Sequence, residues 1–378
     1  MPVGVPRGDG LLERDVLARR RRRGCQVAIA TLRLSSRSLA AAWCERPSTI
    51  LGMPVRVTLA CGATDRTLPL ILGDVRPVGI DLTFLRMCPE EVFWRMTRHA
   101  EFDAAEMSLS SYVLRRSRGD DSLLAIPVYT SREFRHSCVW VRSDADIQAP
   151  ADLKGKRMGV PEYQMTAAVW IRGFLSDDFG VAPTDMHWFS GGLYQPGREE
   201  KLPISIPGLD LNTIRPDQTL SDMLLDGELD AMMGPRPPRG FPGPRVRRLF
   251  PDFRQVEVDY FKRTGVFPIM HTVVLRRELL DREPWVARSL YDAFCAAKAR
   301  ATAQLTEAVV LSVTLPWLIA EVESTTSLMG EDYWPYGVEP NRRALETLMR
   351  YSCEQGLAER RVAIEELFAS STLDDYRI

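Results

Sequence analysis

The chain has 378 residues, of which 45% are hydrophobic and 26% are charged, and its formal net charge is −1. Residues 1–52 hold ten arginines and four acids, a balance of +6, which leaves −7 on the remainder (39 Lys and Arg against 46 acids). An acidic body argues against a nucleic-acid partner, and no apolar run approaches the length that spans a bilayer.

The first 52 residues differ from the rest in composition. A basic run at Arg19–Arg23 precedes an apolar stretch that Arg33 and Arg37 interrupt, which makes a poor export signal. We interpret residues 1–52 as a disordered or misannotated extension, with Met53 as the true start. Seven scattered cysteines without a C-x-x-C pair predict reduced thiols, and therefore a cytoplasmic protein.

Beyond this extension, strand and helix patterns alternate along the chain. Short runs rich in β-branched or apolar residues predict strands at Val55–Ala60, Ile80–Phe84, Phe102–Glu106, Leu123–Val128, Arg157–Val160, Met186–Phe189, Leu229–Met233 and His271–Leu275. Helices are predicted at Pro89–His99, Ser108–Leu114, Thr166–Leu175 and Leu220–Leu225, and from Arg282 to the end of the chain. This alternation indicates mainly parallel sheets covered by helices on both faces.

Two irregular segments interrupt the second half of the pattern. Ser190–Pro216 is polar and longer than an ordinary connection, so we expect a lid, a partner arm or a site loop. Gly234–Pro244 is too rich in proline and glycine for regular structure. A polar turn at Asp144–Lys154 is the expected crossing into a second lobe.

A cationic segment with a histidine marks a candidate site for an anion. Arg135 and His136 precede a short strand, and a helix is predicted to start near Gln164. Ligands of α/β sheets bind beyond the carboxyl ends of the strands, and helix N-termini attract carboxylates and phosphates. The pattern therefore indicates an anionic substrate on which a proton must be moved.

Three residues are candidates for moving that proton. His136 and His271 suit a proton donor and a hydroxyl base, and the alternative for each is a structural histidine. Glu106 ends a predicted strand. Burial there would raise its pKa and make it a proton donor, while the alternative is a carboxylate that caps the following helix.

Other side chains suit the binding of a carboxylate or an aromatic ring. Arg66 and Arg135 are candidate carboxylate clamps, because a guanidinium fits a carboxylate with two hydrogen bonds. Arg236 lies in the proline-rich segment, from which it could reach a cleft. Hydroxyl, amide and phenol groups that could bind substrate oxygens or stack on a ring belong to Ser108, Ser110, Tyr163, Gln164 and Thr166. Helix capping alone explains one or two of these.

The histidines show no metal-binding spacing, and we expect no cofactor. Carboxylates can still hold a divalent metal together with a bound ligand, so metal dependence stays open. The sequence carries no phosphate-binding glycine loop and no nucleophile elbow.

Several longer strings carry a family resemblance. E-M-S-L-S-S-Y (106–112), F-R-H-S-C (134–138), V-P-E-Y-Q-M-T-A-A-V-W-I-R-G (160–173), P-D-Q-T-L-S (216–221) and F-P-I-M-H-T-V-V (267–274) resemble 4,5-dihydroxyphthalate decarboxylases. D-L-K-G-K-R-M-G-V-P (152–161) resembles the crossover of type II periplasmic-binding-protein folds. The resemblance runs from about Met53 to about Tyr336.

The resemblance implies a two-lobed α/β fold with a cleft between the lobes and a helical C-terminal region. Lobe one is expected at 53–145 plus 268–378, and lobe two at 146–267. The implied reaction is non-oxidative decarboxylation of 4,5-dihydroxyphthalate, or a close hydroxylated aromatic acid, to protocatechuate and CO₂. We expect His136 to donate the proton to carbon, with His271 or Glu106 as its partner.

The alternative is a solute-binding protein of an ABC-type transporter for an anionic aromatic ligand, which would share the fold and the arginines. Either way, the expected partner is a small anionic aromatic molecule rather than a nucleic acid or a membrane. The long polar loop and the helical tail are compatible with a homo-oligomer.

Overall fold

The computed structural model describes residues 53–307 and 309–373. Residues 1–52, interpreted above as an extension, lie outside the described residues. The strands are β1 (Val55–Cys61), β2 (Ile80–Arg86), β3 (Ala104–Ser108), β4 (Leu123–Arg132), β5 (Val139–Arg142), β6 (Arg157–Val160), β7 (His187–Ser190), β8 (Leu211–Thr213), β9 (Ala231–Met233), β10 (Val246–Arg248) and β11 (Ile269–Arg276). The helices are α1 (Leu68–Ile71), α2 (Pro89–His99), α3 (Leu109–Ser117), α4 (Thr166–Phe179), α5 (Leu220–Leu225), α6 (Phe253–Thr264), α7 (Arg277–Arg282), α8 (Trp285–Leu305), α9 (Leu318–Met329), α10 (Arg342–Glu354) and α11 (Ile364–Leu367).

The first sheet has the strand order β2-β1-β3-β11-β4. β1 runs parallel to β2 and β3, whereas β11 lies antiparallel between β3 and β4. β11 comes from a distant part of the sequence, so the chain must leave this sheet after β4 and return to it much later. Its insertion beside β3 brings the carboxyl end of β3 next to residues that follow the second lobe in the sequence.

The second sheet has the order β10-β5-β9-β6-β7-β8. β6 runs parallel to β7 and β9, and β5 lies antiparallel to β9 and β10. The sequence placed residues up to 145 in lobe one, but β5 pairs in the second sheet, so the first crossing lies between Arg132 and Val139. The return crossing lies between Arg248 and Ile269. These two sheets and two crossings confirm the two-lobed α/β fold.

Helix α2 illustrates how local sequence sets an element that positions the site. Pro89 occupies its first turn, where a missing N–H costs nothing, and Glu90 and Glu91 face the positive end of the helix dipole. Arg98 lies in the last turn, and Ala100 ends the helix in a left-handed conformation. The acidic first turn therefore lies at the end of α2 that follows β2.

Helix α4 joins the two lobes. Its first ten residues are buried, and the indole N–H of Trp170 donates to the carbonyl of Ile269 on β11 at 3.0 Å. The C-terminal region covers both lobes, since Tyr112 donates to the carbonyl of Leu367 at 2.6 Å and Tyr351 donates to Asp177 at 2.7 Å. The region after Arg282 is helical as predicted, but loops separate α8 to α11.

The irregular segments differ from their prediction only in part. Ser190–Pro216 contains the short strand β8, and Gly234–Pro244 contains no helix or strand. β10 and α6 follow the proline-rich segment and were not predicted from the sequence pattern. None of the helices within 53–307 and 309–373 combines the length and the apolar character that a bilayer crossing needs.

Candidate active site

A cavity of about 190 Å³ lies between the lobes and contains His271, and we call it the histidine cavity. Residues of α2, β3, β11 and the start of α4 contribute to its wall, together with residues of the two irregular segments. The lining residues are Pro89, Glu90, Phe93, Ser108, Arg135, Met165, Thr166, Ala167, Arg198, Lys201, Pro235, Arg236, Met270 and His271.

His271 and Glu106 face each other because of the strand register. On β11 and β3, His271 lies opposite Ser108, and Val273 lies opposite Glu106. Residues two apart on a strand point to the same face, so the side chains of His271 and Glu106 form a diagonal neighbour pair. The Nδ1 of His271 lies 2.7 Å from Oε1 of Glu106. The ring edge of Phe93 packs against the imidazole, with centroids 4.8 Å apart.

Glu106 is a buried carboxylate with a complete set of partners. Its oxygens accept hydrogen bonds from Thr130 (2.8 Å) and the backbone N–H of Gly62 (2.9 Å) besides the contact with His271, and the Cys61 thiol lies at 3.4 Å. Burial alone would raise the pKa of Glu106, but the hydrogen bond and charge of His271, then Gly62 and Thr130, lower that pKa to about 2. The expected raised pKa was wrong, because these donors outweigh burial.

The ionised Glu106 fixes the tautomer of His271. A carboxylate without a proton can only accept, so the proton between the two side chains lies on Nδ1 of the imidazole. Nε2 is then the ring nitrogen that Glu106 does not engage. A neutral His271 can accept a proton there, and a doubly protonated His271 can donate one with its charge stabilised by Glu106.

Four cationic side chains line the histidine cavity: Arg135, Arg198, Lys201 and Arg236. Arg135 is buried, its guanidinium lies 3.4 Å from the Met270 sulfur, and it pairs with Glu133 at 2.9 Å. This concentration of positive charge around a small cavity favours an anionic ligand.

Arg198 and Lys201 were not among the site residues predicted from the sequence. Both lie in the Ser190–Pro216 segment, whose unusual length was the signal that it takes part in a site. Both bind the buried carboxylate of Glu162, Arg198 at 2.5 Å and Lys201 in a close ion pair. Glu162 therefore fixes the segment against the loop that precedes α4.

A second, larger cavity of about 670 Å³ adjoins the first, and we call it the arm cavity. Residues 192–199 and Lys201 form much of its wall, and it shares Glu90, Arg198, Lys201 and Arg236 with the histidine cavity. The shared residues lie where the two cavities meet. A ligand that enters through the arm cavity passes them before it reaches His271.

The polar residues predicted on β3 and before α4 form a hydrogen-bonded seam between the lobes. The hydroxyls of Ser108 and Thr166 lie 2.8 Å apart and both line the histidine cavity. The hydroxyl of Ser110 donates to the carbonyl of Gln164 at 2.8 Å, away from the cavity wall. Tyr163 is fully buried and packs against the guanidinium of Arg172, so its ring does not line the cavity.

The structure places His136 outside the histidine cavity. Its ring is 2% exposed, stacks on Phe174 at a centroid distance of 4.0 Å and meets Phe250 and Tyr260 edge-on or tilted. It lines a different cavity, of about 770 Å³, on the side of α6. Burial, then the charge of Arg263, lowers the pKa of His136 to about 4, so its ring is neutral at pH 7. The expectation that it donates a proton beside His271 does not fit this placement.

Arg66 also lies away from the predicted clamp position. Its guanidinium stacks on Trp334 at 4.0 Å, pairs with Asp65 at 2.7 Å and donates to the carbonyl of Thr130 at 3.1 Å. It is absent from the wall of the histidine cavity. The hydroxyl of Thr130 donates to Glu106, so Arg66 stabilises a residue that binds Glu106 rather than binding a ligand.

Metal-binding groups do not cluster in the described part of the chain: no set of three or more His, Cys, Asp or Glu side chains there is close enough to hold an ion. The carboxylates nearest the cavity are already bound to cations or to His271.

Two curated relatives match the chain closely, although no family model matches it. A 4,5-dihydroxyphthalate decarboxylase of Comamonas testosteroni is 40% identical over 327 residues, which cover 86% of this chain and 99% of the relative. A 4,5-dihydroxyphthalate decarboxylase of Pseudomonas putida is 42% identical over 211 residues, which cover 55% of this chain and 82% of the relative.

Solved structures show more distant likeness. The periplasmic aliphatic sulphonate binding protein of Escherichia coli has a TM-score of 0.48 at 14% identity, covering 85% of this chain and 99% of its own. A desulfurization enzyme has a TM-score of 0.42 at 15% identity, covering 83% of this chain and 96% of its own.

Proposed function

The chain belongs to the 4,5-dihydroxyphthalate decarboxylase family, and from this premise we propose that it decarboxylates 4,5-dihydroxyphthalate, or a close hydroxylated aromatic acid, without oxidation. The products are protocatechuate and CO₂. The Comamonas testosteroni relative, which carries this activity in its name, matches 86% of the chain, and this favours a carboxy-lyase over the solute-binding alternative.

The observation that carries the proposal is the His271–Glu106 pair facing a small cavity lined by cations. A solute-binding protein needs cations to hold an anion, but it needs no buried carboxylate behind a histidine. Here Glu106 is 3% exposed and has hydrogen bonds at both oxygens, which is the arrangement that orients a catalytic imidazole and stabilises its charged form.

The substrate carries two carboxylates on one ring, and the cavity offers cations from the crossing between the lobes and from lobe two. Arg135 comes from the segment that joins β4 to β5, while Arg198, Lys201 and Arg236 come from the two irregular segments. We assign these residues to holding the retained carboxylate and the ring. Ser108 and Thr166 supply hydroxyls for the substrate oxygens.

The chemical step replaces a carboxylate by a proton on one ring carbon. Electron density from the hydroxyl para to the departing carboxylate makes that carbon basic, and the doubly protonated His271 transfers its Nε2 proton to it. The carbon then bears both the proton and the carboxylate, and ring aromaticity is lost. The C–C bond breaks, its electron pair returns to the ring, and CO₂ leaves. His271 regains a proton from solvent, and Glu106 stabilises the imidazolium before transfer.

The compartment and the assembly remain predictions. The scattered thiols favour the cytoplasm, and a homo-oligomer stays compatible with the long arm and the C-terminal helices.

The proposal is tested by measuring CO₂ and protocatechuate from the purified full-length chain with 4,5-dihydroxyphthalate. We expect both products in equal amounts. Repeating the assay with EDTA decides whether a divalent metal takes part: activity that survives EDTA indicates acid–base chemistry by side chains alone, and activity lost to EDTA and restored by a divalent ion adds a metal. Tight binding without turnover would instead support the solute-binding alternative.

A further inference from the structure

One carboxylate occupies the junction of the two cavities. Glu90, in the first turn of α2, lies 3.0 Å from Arg236 and 3.4 Å from Arg198. α2 packs on the first sheet, whereas the two arginines belong to the segments that follow β7 and β9 of the second sheet. The contact therefore fastens the two lobes together at the place where a substrate carboxylate would meet the same arginines.

Glu90 differs from Glu162, the other carboxylate that binds Arg198. The side chain of Glu162 is 2% exposed, and Arg198 and Lys201 enclose it. The side chain of Glu90 is 35% exposed, and its partner Arg236 is 50% exposed. A carboxylate that can turn into water gives up its partners at little cost, whereas a buried one would leave uncompensated charge behind. We therefore expect Glu162 to keep its ion pairs when a ligand binds, and Glu90 to release its own.

Glu90 is also a strong competitor for the arginines when the cavity is empty. Burial alone would raise the pKa of Glu90, but the charges of Arg198 and Arg236 outweigh burial and hold that pKa below its usual value. It is thus ionised at neutral pH and presents the same functional group as an aromatic acid.

We infer that Glu90 is a built-in substitute for the ligand's carboxylate, which an incoming aromatic carboxylate displaces from Arg236 and Arg198. Because this role rests on the decarboxylase function proposed above, the displacing group is the carboxylate that the reaction retains. When the product leaves, Glu90 takes the arginines back. It thereby weakens the binding of the product, which still carries a carboxylate.

Removing the charge of Glu90 should change ligand affinity in opposite directions if Glu90 competes with the ligand and if it only supports the structure. Removing the charge of Glu90 leaves the arginines uncontested, so ligands with a carboxylate should bind more tightly. If Glu90 merely fastens the lobes in their working arrangement, its removal should weaken the same ligands. Catechol, which has the hydroxyls but no carboxylate, does not compete with Glu90 and should bind equally to wild type and to the variant without the charge.

The experiment is calorimetric titration of full-length wild type and Glu90→Gln with phthalate, protocatechuate and catechol. We expect Kd for phthalate and protocatechuate to fall about tenfold, with catechol unchanged. Glu199→Gln is the matched control, because Glu199 lines the arm cavity and not the histidine cavity. It removes one negative charge from the same region and should change Kd less than twofold.

If Glu199→Gln tightens the binding of carboxylate ligands as much as Glu90→Gln does, the effect is one of net charge and the inference is overturned. Unchanged or weaker binding in Glu90→Gln would also overturn it. Should Glu90→Gln fold poorly, Glu90→Asp is the second variant. It keeps the negative charge at the start of α2 but shortens the side chain by one methylene, so it contests the arginines less and protocatechuate should bind more tightly than to wild type; weaker binding would overturn the inference. Phthalate lacks the hydroxyls that the reaction needs, so its binding is read without turnover. Turnover without the Glu90 effect refutes the substitute role alone, and the Glu90 effect without turnover refutes the decarboxylase function alone.

Discussion

His271 and His136 have opposite surroundings, although sequence analysis treated them as partners. His271 faces a cavity lined by cations and has a buried carboxylate at 2.7 Å. His136 is packed among aromatic rings, and its Nδ1 has no hydrogen-bond partner among the described residues. Its nearest carboxylate, Glu257, lies 3.9 Å away, and burial raises the pKa of Glu257 to about 7.

The difference shows that a hydrogen-bonded carboxylate partner, more than the residues adjacent in sequence, decides whether a histidine ring can transfer a proton. Arg135 and Ser137 flank His136 and suggested a site, but Arg135 turns to the histidine cavity while His136 turns away from it. His271 is flanked in sequence by the uncharged Met270 and Thr272, and its partner Glu106 is contributed by the adjacent strand.

The largest effect is expected from His271→Asn. Loss of the proton-transferring ring should lower kcat about 10³-fold and change KM little, because the cations that bind the substrate remain. Steady-state CO₂ release measures both constants. His187→Asn is the matched control, since His187 pairs with Asp210 at 2.6 Å but on the exposed surface. Wild-type turnover in His271→Asn would break the comparison between the histidines.

A smaller loss is expected from Glu106→Gln. The amide keeps the shape of the carboxylate but cannot stabilise the imidazolium of His271, so kcat should fall about 10²-fold. KM should stay within a few-fold, because the cations that hold the substrate are unchanged. A purely structural role would instead lower thermal stability and change KM together with kcat.

Arg236→Gln should act on binding. Removing one cation from the cavity should raise KM about tenfold and leave kcat within a few-fold, because the proton-transferring pair is untouched. Arg239→Gln is the control from the same segment, since Arg239 pairs with Asp222 outside the histidine cavity. A kcat loss in Arg236→Gln without a change in KM would contradict the assignment to binding.

The smallest effect on activity is expected from His136→Phe, with kcat within about twofold of wild type. The variant should instead differ from wild type in how its free energy of unfolding depends on pH. The folded state holds the pKa of His136 at about 4, against 6.5 for the free side chain. Stability is therefore full above pH 6.5 and falls as the pH drops toward 4, by ~2 kcal/mol at pH 5. The variant should lack this part of the acid loss.

Urea unfolding at pH 7 and pH 5 measures the difference between wild type and His136→Phe. The neighbouring Glu257 and Arg263 are present in both proteins, so their own contributions largely cancel in the comparison. An identical pH dependence in both proteins would mean that His136 keeps its ordinary pKa. A large fall in kcat would restore His136 to the mechanism.

The fold was predictable from the sequence in its class and in most of its elements. Alternating patterns placed the strands, and the string at 152–161 identified the approach to the second lobe. The boundary was misplaced at β5, because Val139 pairs with Met233, nearly a hundred residues later, and no local pattern reports such a pairing. β10 was missed for the same reason, since it is a short edge strand that follows a proline-rich segment.

The sequence indicated which residue types form the site, but not which side chains face one another across it. The approach of Glu106 to His271 depends on β11 inserting beside β3, which only the sheet order specifies. The depressed pKa of Glu106 depends on donors from Gly62, Thr130 and His271, which converge from three other strands or their ends. Arg198 was hidden in a segment whose length indicated a site but whose individual residues did not.

The most direct test of the central claim compares single-turnover CO₂ release from 4,5-dihydroxyphthalate by His271→Asn and His136→Phe, side by side with wild type. We predict that His271→Asn loses the reaction by about 10³-fold while His136→Phe releases CO₂ at nearly the wild-type rate. The reverse order, with His136→Phe inactive and His271→Asn active, would contradict the placement of proton transfer at His271 and Glu106.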